Sequence, residues 1–241
     1  MFSSRITCGP DFNRKTKRER DFNFCCPDKL QVSRSCRDNA RFEAAILFLM
    51  PSSNEVEIKF RIADVAAISE KLKQSGFRLK TSRTHEMNTL YDRLGQPLRR
   101  KGELLRLRKY GSEWLLTHKS KGSSGRHKTR VETQTKVADG EKMEAILTAL
   151  GYKPSFRYEK YRAEWSDGTG DVVLDETPIG NFGEIEGPPE WIDRTAQRLG
   201  VNTRQYITSN YATLFLDWKK RSHSKAKQMT FQEIGESGPT L

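Results

Sequence analysis

Residues 55 to 62 read Glu55-Val56-Glu57-Ile58-Lys59-Phe60-Arg61-Ile62, a strict alternation of charged and apolar side chains. Successive side chains of a β-strand point to opposite faces, so Glu55, Glu57, Lys59 and Arg61 share one face and Val56, Ile58, Phe60 and Ile62 the other. One such run is an ordinary strand of an antiparallel sheet with one wet face. Its recurrence constrains the chain far more. Leu104 to Arg108, Trp114 to Lys119, Arg130 to Gln134, Tyr158 to Trp165, Asp171 to Asp175 and Phe182 to Glu186 repeat the pattern, with both signs of charge on the polar face.

Helical periods separate these strands. Asp64 is placed to cap a helix with an apolar stripe of Val65, Ile68 and Leu72, closed by Gly76. Thr84 to Asp92 reads as another strand, followed by turn chemistry at Gly95-Gln96-Pro97. The basic, Gly- and Ser-rich stretch Ser120 to Lys128 is expected to be a mobile loop. Asp139 opens a second helix carrying Met143, Ile146, Leu147 and Leu150, and Pro188-Pro189 introduces a third, from about Glu190 to Leu199. A fourth is expected from about Thr203 to Trp218, and residues 219–241 as a basic disordered tail. This order is α+β with an antiparallel sheet. Eight or so strands suit a closed eight-stranded antiparallel barrel with flanking helices, which leaves no exposed sheet edge. The domain is expected over residues 50–218.

Composition limits the alternatives. No apolar run approaches the roughly 18 residues of a membrane span; the longest, Ala44 to Met50, is far shorter, and a cytoplasmic protein with no membrane partner is expected. All four cysteines, Cys8, Cys25, Cys26 and Cys36, lie in the first 49 residues without zinc-ligand spacing. Residues 1–49 are expected to be a disordered leader, or sequence upstream of a true start at Met50. The net charge of +12 suggests an anionic ligand. His85, His118 and His127 are scattered, with no metal spacing.

If the strands close, their charged face lines a lumen. Its acids are Glu55, Glu57, Glu132, Asp175, Glu184 and Glu186; its bases are Lys59, Arg106, Arg108, Lys119, Arg130, Lys160 and Arg162. Burying charges costs several kcal/mol each unless they are paired or liganded. Ladders of ion pairs would satisfy them, but apolar side chains fill a barrel at lower cost. A metal–triphosphate complex needs both signs: carboxylates take hard divalent cations through oxygen, and the arginine fork suits phosphate. An RNA-binding surface would instead expose basic stripes beside aromatic platforms. Nucleic acid is therefore not the expected partner.

Glu55-x-Glu57-x-Lys59, followed in order by Leu105-Arg106-Leu107-Arg108, Thr117-x-Lys119, Arg130-x-Glu132, Lys160-x-Arg162, Leu174-Asp175 and Glu184-Ile185-Glu186, resembles the CYTH superfamily, the triphosphate tunnel metalloenzymes. Its members include class IV adenylyl cyclases and thiamine triphosphatases. The resemblance covers about residues 54–216 and implies a tunnel-forming barrel. It implies that Lys59, Arg106, Arg108, Lys119, Arg130, Lys160 and Arg162 hold the triphosphate, and that Glu55, Glu57, Glu132, Asp175, Glu184 and Glu186 hold Mg²⁺ or Mn²⁺. It makes Lys59 the catalytic candidate for activating a water. The activity implied is most like that of a class IV adenylyl cyclase, converting ATP to cyclic AMP and pyrophosphate. Hydrolysis of inorganic or thiamine triphosphate, and non-catalytic binding of polyphosphate or nucleotide, are the alternatives; a homodimer is left open. The chain departs from the family in its second strand. Many members carry an acid followed two residues later by Tyr, where this chain has Asn88 and Leu90.

Overall fold

The structure, a computed structural model, describes residues 53–235. The expectations for residues 1–49 lie outside them. The chain runs β1 (Ser53–Ile62), α1 (Val65–Gln74), β2 (Arg78–Asp92), α2 (Pro97–Lys101), β3 (Leu104–Tyr110), β4 (Glu113–Lys119), β5 (Ser123–Ser124), β6 (Lys128–Val137), α3 (Gly140–Ala149), β7 (Lys153–Ser166), β8 (Asp171–Thr177), β9 (Gly180–Glu186), α4 (Pro189–Leu199), a 3₁₀ turn (Thr203–Gln205), α5 (Tyr211–Ser222) and α6 (Phe231–Ile234).

Every strand pairing is antiparallel, in the order β1-β9-β8-β7-β2-β3-β4-β6, and β1 pairs again with β6 from Ser53↔Glu132 to Glu57↔Lys128. The ring is therefore closed on eight strands, with the two-residue β5 appended to β6. Four steps around the ring separate β1 from β2, so these strands face each other across the lumen.

Closure inverts the usual barrel polarity. The apolar side chains of β1, Ile58, Phe60 and Ile62, point outward and are covered by Leu72 of α1 and by Trp191, Ile192, Ala196 and Leu199 of α4. Gly183 lies opposite Phe60 in the β1–β9 register, and a Cβ there would run into the Phe60 ring. A second cluster lies on the inward side of the strands and joins Tyr158 and Phe182, with Ile179, to Tyr211, Leu214 and Phe215 of α5. Under α3, Leu147 packs against Tyr91 and Leu107. The expected caps are present: Asp64 accepts from Ala67 N at 3.0 Å, and Asp139 from Lys142 N at 3.0 Å.

Three expectations need correction. The helix placed from Thr203 begins only at Tyr211, because Ile207 first exchanges two backbone hydrogen bonds with Lys59, at 3.0 and 2.7 Å. The stretch Ser120 to Lys128 is not all loop: Ser123 and Ser124 pair with β6, and Lys128 is already in that strand. Residues 219–235 are not a disordered tail. Helix α5 runs on to Ser222, and Met229 then lies fully buried beside Tyr158. Its backbone accepts from Glu159 N and donates to Arg157 O, both at 3.0 Å. The polar composition of this segment concealed an apolar anchor, Met229, with Ala226 and Ile234 packed against the same cluster.

Candidate active site

The inward faces of the strands enclose a cavity of about 350 Å³ lined by eight lysines and arginines and seven acids. Its two sides differ. β1 and its neighbours β9 and β6 form a wall rich in carboxylates. Glu55 accepts from Lys119 at 2.7 Å and Arg130 at 2.8 Å, and Glu57 from Lys128 at 2.7 Å. Glu184 accepts from Lys59 and from Arg162, both at 2.6 Å. Glu132 pairs with Lys119 at 2.6 Å, and Glu186 is the cross-strand partner of Glu57. The opposite wall is cationic, with Arg106 and Arg108 from β3 and Lys160 and Arg162 from β7 flanking β2.

Asp175 behaves unlike the other acids. It is fully buried behind the cavity lining and accepts from Lys160, from both forks of Arg162 and from Tyr211 Oη, at 2.6 to 2.8 Å. With four donors upon it, Asp175 orients the cationic wall, and the metal-ligand role expected for it does not fit this position. The remaining predicted residues all line the lumen.

The electrostatics follow from these contacts. Burial opposes ionisation of Glu57, but Lys59, Lys128 and Lys119 outweigh it and hold the carboxyl at about 2. Burial likewise opposes charge on Lys59, yet Glu184 and Glu57 prevail and raise its pKa. Lys59 is thus held as a cation, which suits phosphate binding better than proton abstraction. Glu186 is reached by solvent along the tunnel while protein surrounds it. That enclosure, followed by the Glu55, Glu57 and Glu132 carboxylates, pushes its carboxyl up to about 7.

Among the described residues, no three acids already form a ligating cluster. The donor chemistry nevertheless fits a hard divalent cation: carboxylate oxygens from three adjacent strands, with mutual repulsion around Glu186 that a cation would relieve.

Four inward-facing charged residues were missed: Glu164 and Asp171, which line the cavity, and Lys128 and Glu86. Lys128 donates to Glu57 from the position two before Arg130, a parity visible in the sequence but assigned to a loop. Glu86 shares the inward face of β2 with Asn88 and is fully buried.

Beyond the tunnel lies a second cavity of about 470 Å³, which shares Leu90, Leu104, Arg130, Asn210 and Ala212 with the first. Here the inward stripe turns apolar on three adjacent strands, at Phe156 of β7, Leu90 of β2 and Leu104 of β3, with Phe215 and Leu216 of α5 opposite.

The CYTH domain family matches residues 53–198. A Methanocaldococcus jannaschii protein named a "putative adenylate cyclase" is 30% identical over 133 residues, which are 55% of this chain and 75% of that protein. The structure of a "putative adenylate cyclase" from Vibrio parahaemolyticus superposes with a TM-score of 0.62 at 20% identity, covering 68% of this chain and 99% of that one. A Hippeastrum protein described as a "putative adenylyl cyclase" with a dominant triphosphatase activity superposes with a TM-score of 0.51 at 20% identity, over 68% of this chain and 95% of that one. With the family match extending over most of the closed barrel and its charged lumen, this chain belongs to the CYTH family.

Proposed function

We propose that the tunnel binds a nucleoside triphosphate together with divalent cations and performs phosphoryl chemistry on it, with conversion of ATP to cyclic AMP and pyrophosphate as the leading reaction. The observation that carries this reading is the facing of a carboxylate wall by a cationic one across a single lumen. Eight cations against seven acids leave the lining almost neutral. A bare polyanion would gain little there, whereas one accompanied by cations satisfies both walls. Glu55, Glu57, Glu132, Glu184 and Glu186 would hold Mg²⁺ or Mn²⁺, which when bound neutralises phosphate charge and lowers the pKa of an attacking hydroxyl. Lys59, Arg106, Arg108, Lys119, Lys128, Arg130, Lys160 and Arg162 would hold the phosphate oxygens and orient the chain for in-line displacement.

The adjoining half-apolar cavity supports an organic group on the triphosphate, since inorganic triphosphate would leave it unused. In cyclisation the ribose 3′-oxygen, losing its proton, bonds to the α-phosphorus as the bond to pyrophosphate breaks. The Methanocaldococcus jannaschii relative lends weight to this reaction. Hydrolysis of the same ligand is the second reading: most of the lumen lining is charged, and water admitted there would be an alternative nucleophile.

The test incubates the full chain and its Glu57→Ala variant with ATP, inorganic triphosphate and thiamine triphosphate under Mg²⁺ or Mn²⁺, and separates the products. Cyclic AMP and pyrophosphate, reduced about 100-fold or more in the variant, is the expected outcome. Orthophosphate in their place selects hydrolysis. Tight metal-dependent binding without turnover leaves a binding module.

A further inference from the structure

The cationic wall has an acid buried within it. Glu86 lies on β2, between the two strands that supply Arg106, Arg108, Lys160 and Arg162. Its side chain is fully buried and lies behind the cavity lining rather than in it. Oε1 accepts from Asn88 Nδ2 at 2.9 Å, and Asn88 Oδ1 in turn accepts from Arg108 Nε at 3.2 Å. Arg108 and Lys160 each stand 3.5 Å from Oε1, and Arg162 stands 3.7 Å from Oε2. Oε2 itself makes no hydrogen bond. Glu86 is therefore at ion-pair distance from three cations that face the lumen, held there chiefly by charge.

A buried carboxylate without a full set of donors is costly unless its charge is used. Asp175 already fixes Lys160 and Arg162 through short hydrogen bonds, so their placement does not require a second acid at longer range. What Glu86 adds is a fixed negative charge immediately behind the surface on which a phosphate chain would lie. We propose that Glu86 is a positioning residue that moderates this wall. It keeps Arg108, Lys160 and Arg162 compensated while the tunnel is empty, and it weakens the hold on phosphate so that the triphosphate enters and the product anion leaves on a useful timescale. This inference rests on the triphosphate reading above.

The experiment measures calorimetric binding of inorganic triphosphate and of pyrophosphate to the full chain with Mg²⁺ present, for the wild type, Glu86→Gln and Glu86→Asp. Removing one charge a few ångströms from the phosphates should tighten both anions roughly ten-fold or more in Glu86→Gln. The charge-retaining Glu86→Asp should bind like the wild type. In turnover, KM should fall together with kcat as pyrophosphate release slows, a split that loss of packing alone would not produce. Unchanged or weaker anion binding by folded Glu86→Gln overturns the proposal. Should that variant unfold without an anion, recovery of the fold in inorganic triphosphate supports the moderating role. Failure to fold even then assigns Glu86 to the framework and overturns the proposal. A wild type that binds neither anion would instead sink the triphosphate reading itself.

Discussion

Lys59, in the middle of β1, shows how little a single residue's identity decides. A lysine among cations can become a base, but Glu184 at 2.6 Å and Glu57 at 3.8 Å keep this one charged. The same logic sets the acid response of the barrel. Glu57 and Glu86 are both buried at some cost, and the surrounding cations hold their pKa values below the ordinary 4.5, Glu57 at about 2. A depressed folded-state pKa contributes stability above the unfolded value that is lost as pH falls toward the folded one. Thermal stability of the metal-free protein should therefore drop between about pH 4.5 and 2. Glu86→Gln should show a shallower drop over the same window, measured by calorimetry at fixed ionic strength; parallel profiles would contradict the assignment. Most of the lumen was legible in the sequence because period-two alternation carries facing directly. Glu86 and Lys128 obey the same parity. Lys128 was passed over because β6 begins there, two residues earlier than expected. Glu86 lay inside the expected strand Thr84 to Asp92 but shares its face with Asn88 and Leu90, which carry no charge to continue the pattern.

At the scale of elements, the C-terminal segment carries two consequences. Met229 is fully buried between β7 and the last helices, so Met229→Ala should destabilise the protein by about 2–5 kcal/mol, seen as a lowered denaturant midpoint. No measurable change would mean that the segment does not dock in solution. Ala212, in the first turn of α5, lies where the two cavities meet. Ala212→Trp should obstruct that passage and weaken ATP binding about ten-fold or more while sparing inorganic triphosphate; equal loss for both ligands would argue that the second cavity does not hold the organic group. Neither role could be read beforehand. The helix register was visible, but α5 starts eight residues after the position expected, and only the closed barrel shows which loop it must cross first.

Taken as one object, the molecule is a ring whose strand order, β1-β9-β8-β7-β2-β3-β4-β6, cannot be derived from local pattern. Alternation predicts strands and their faces, and closure follows from their number, but which strand sits opposite which is fixed by long-range pairing. The separation of a carboxylate wall from a cationic wall was for that reason invisible in a list of inward-facing charges. Across the structure the net charge also finds its place, since the eight lysines and arginines of the lumen are nearly matched by acids. The formal +12 of the chain therefore resides mainly elsewhere.

The closing pairing between β1 and β6 has a mechanical consequence. Hydrogen-bonded on every side, the ring has no seam along which one half could hinge toward the other, and its bore is set before any ligand arrives. Under the proposed triphosphate reading, selection among phosphate chains would then be a matter of length. Side chains can exchange one partner for another, but the span from β1 to β2 stays constant, and a chain too short to bridge it meets only one wall. Amide exchange in the strands should accordingly be nearly the same with and without ligand, with any slowing confined to the helices and connections at the ends of the bore.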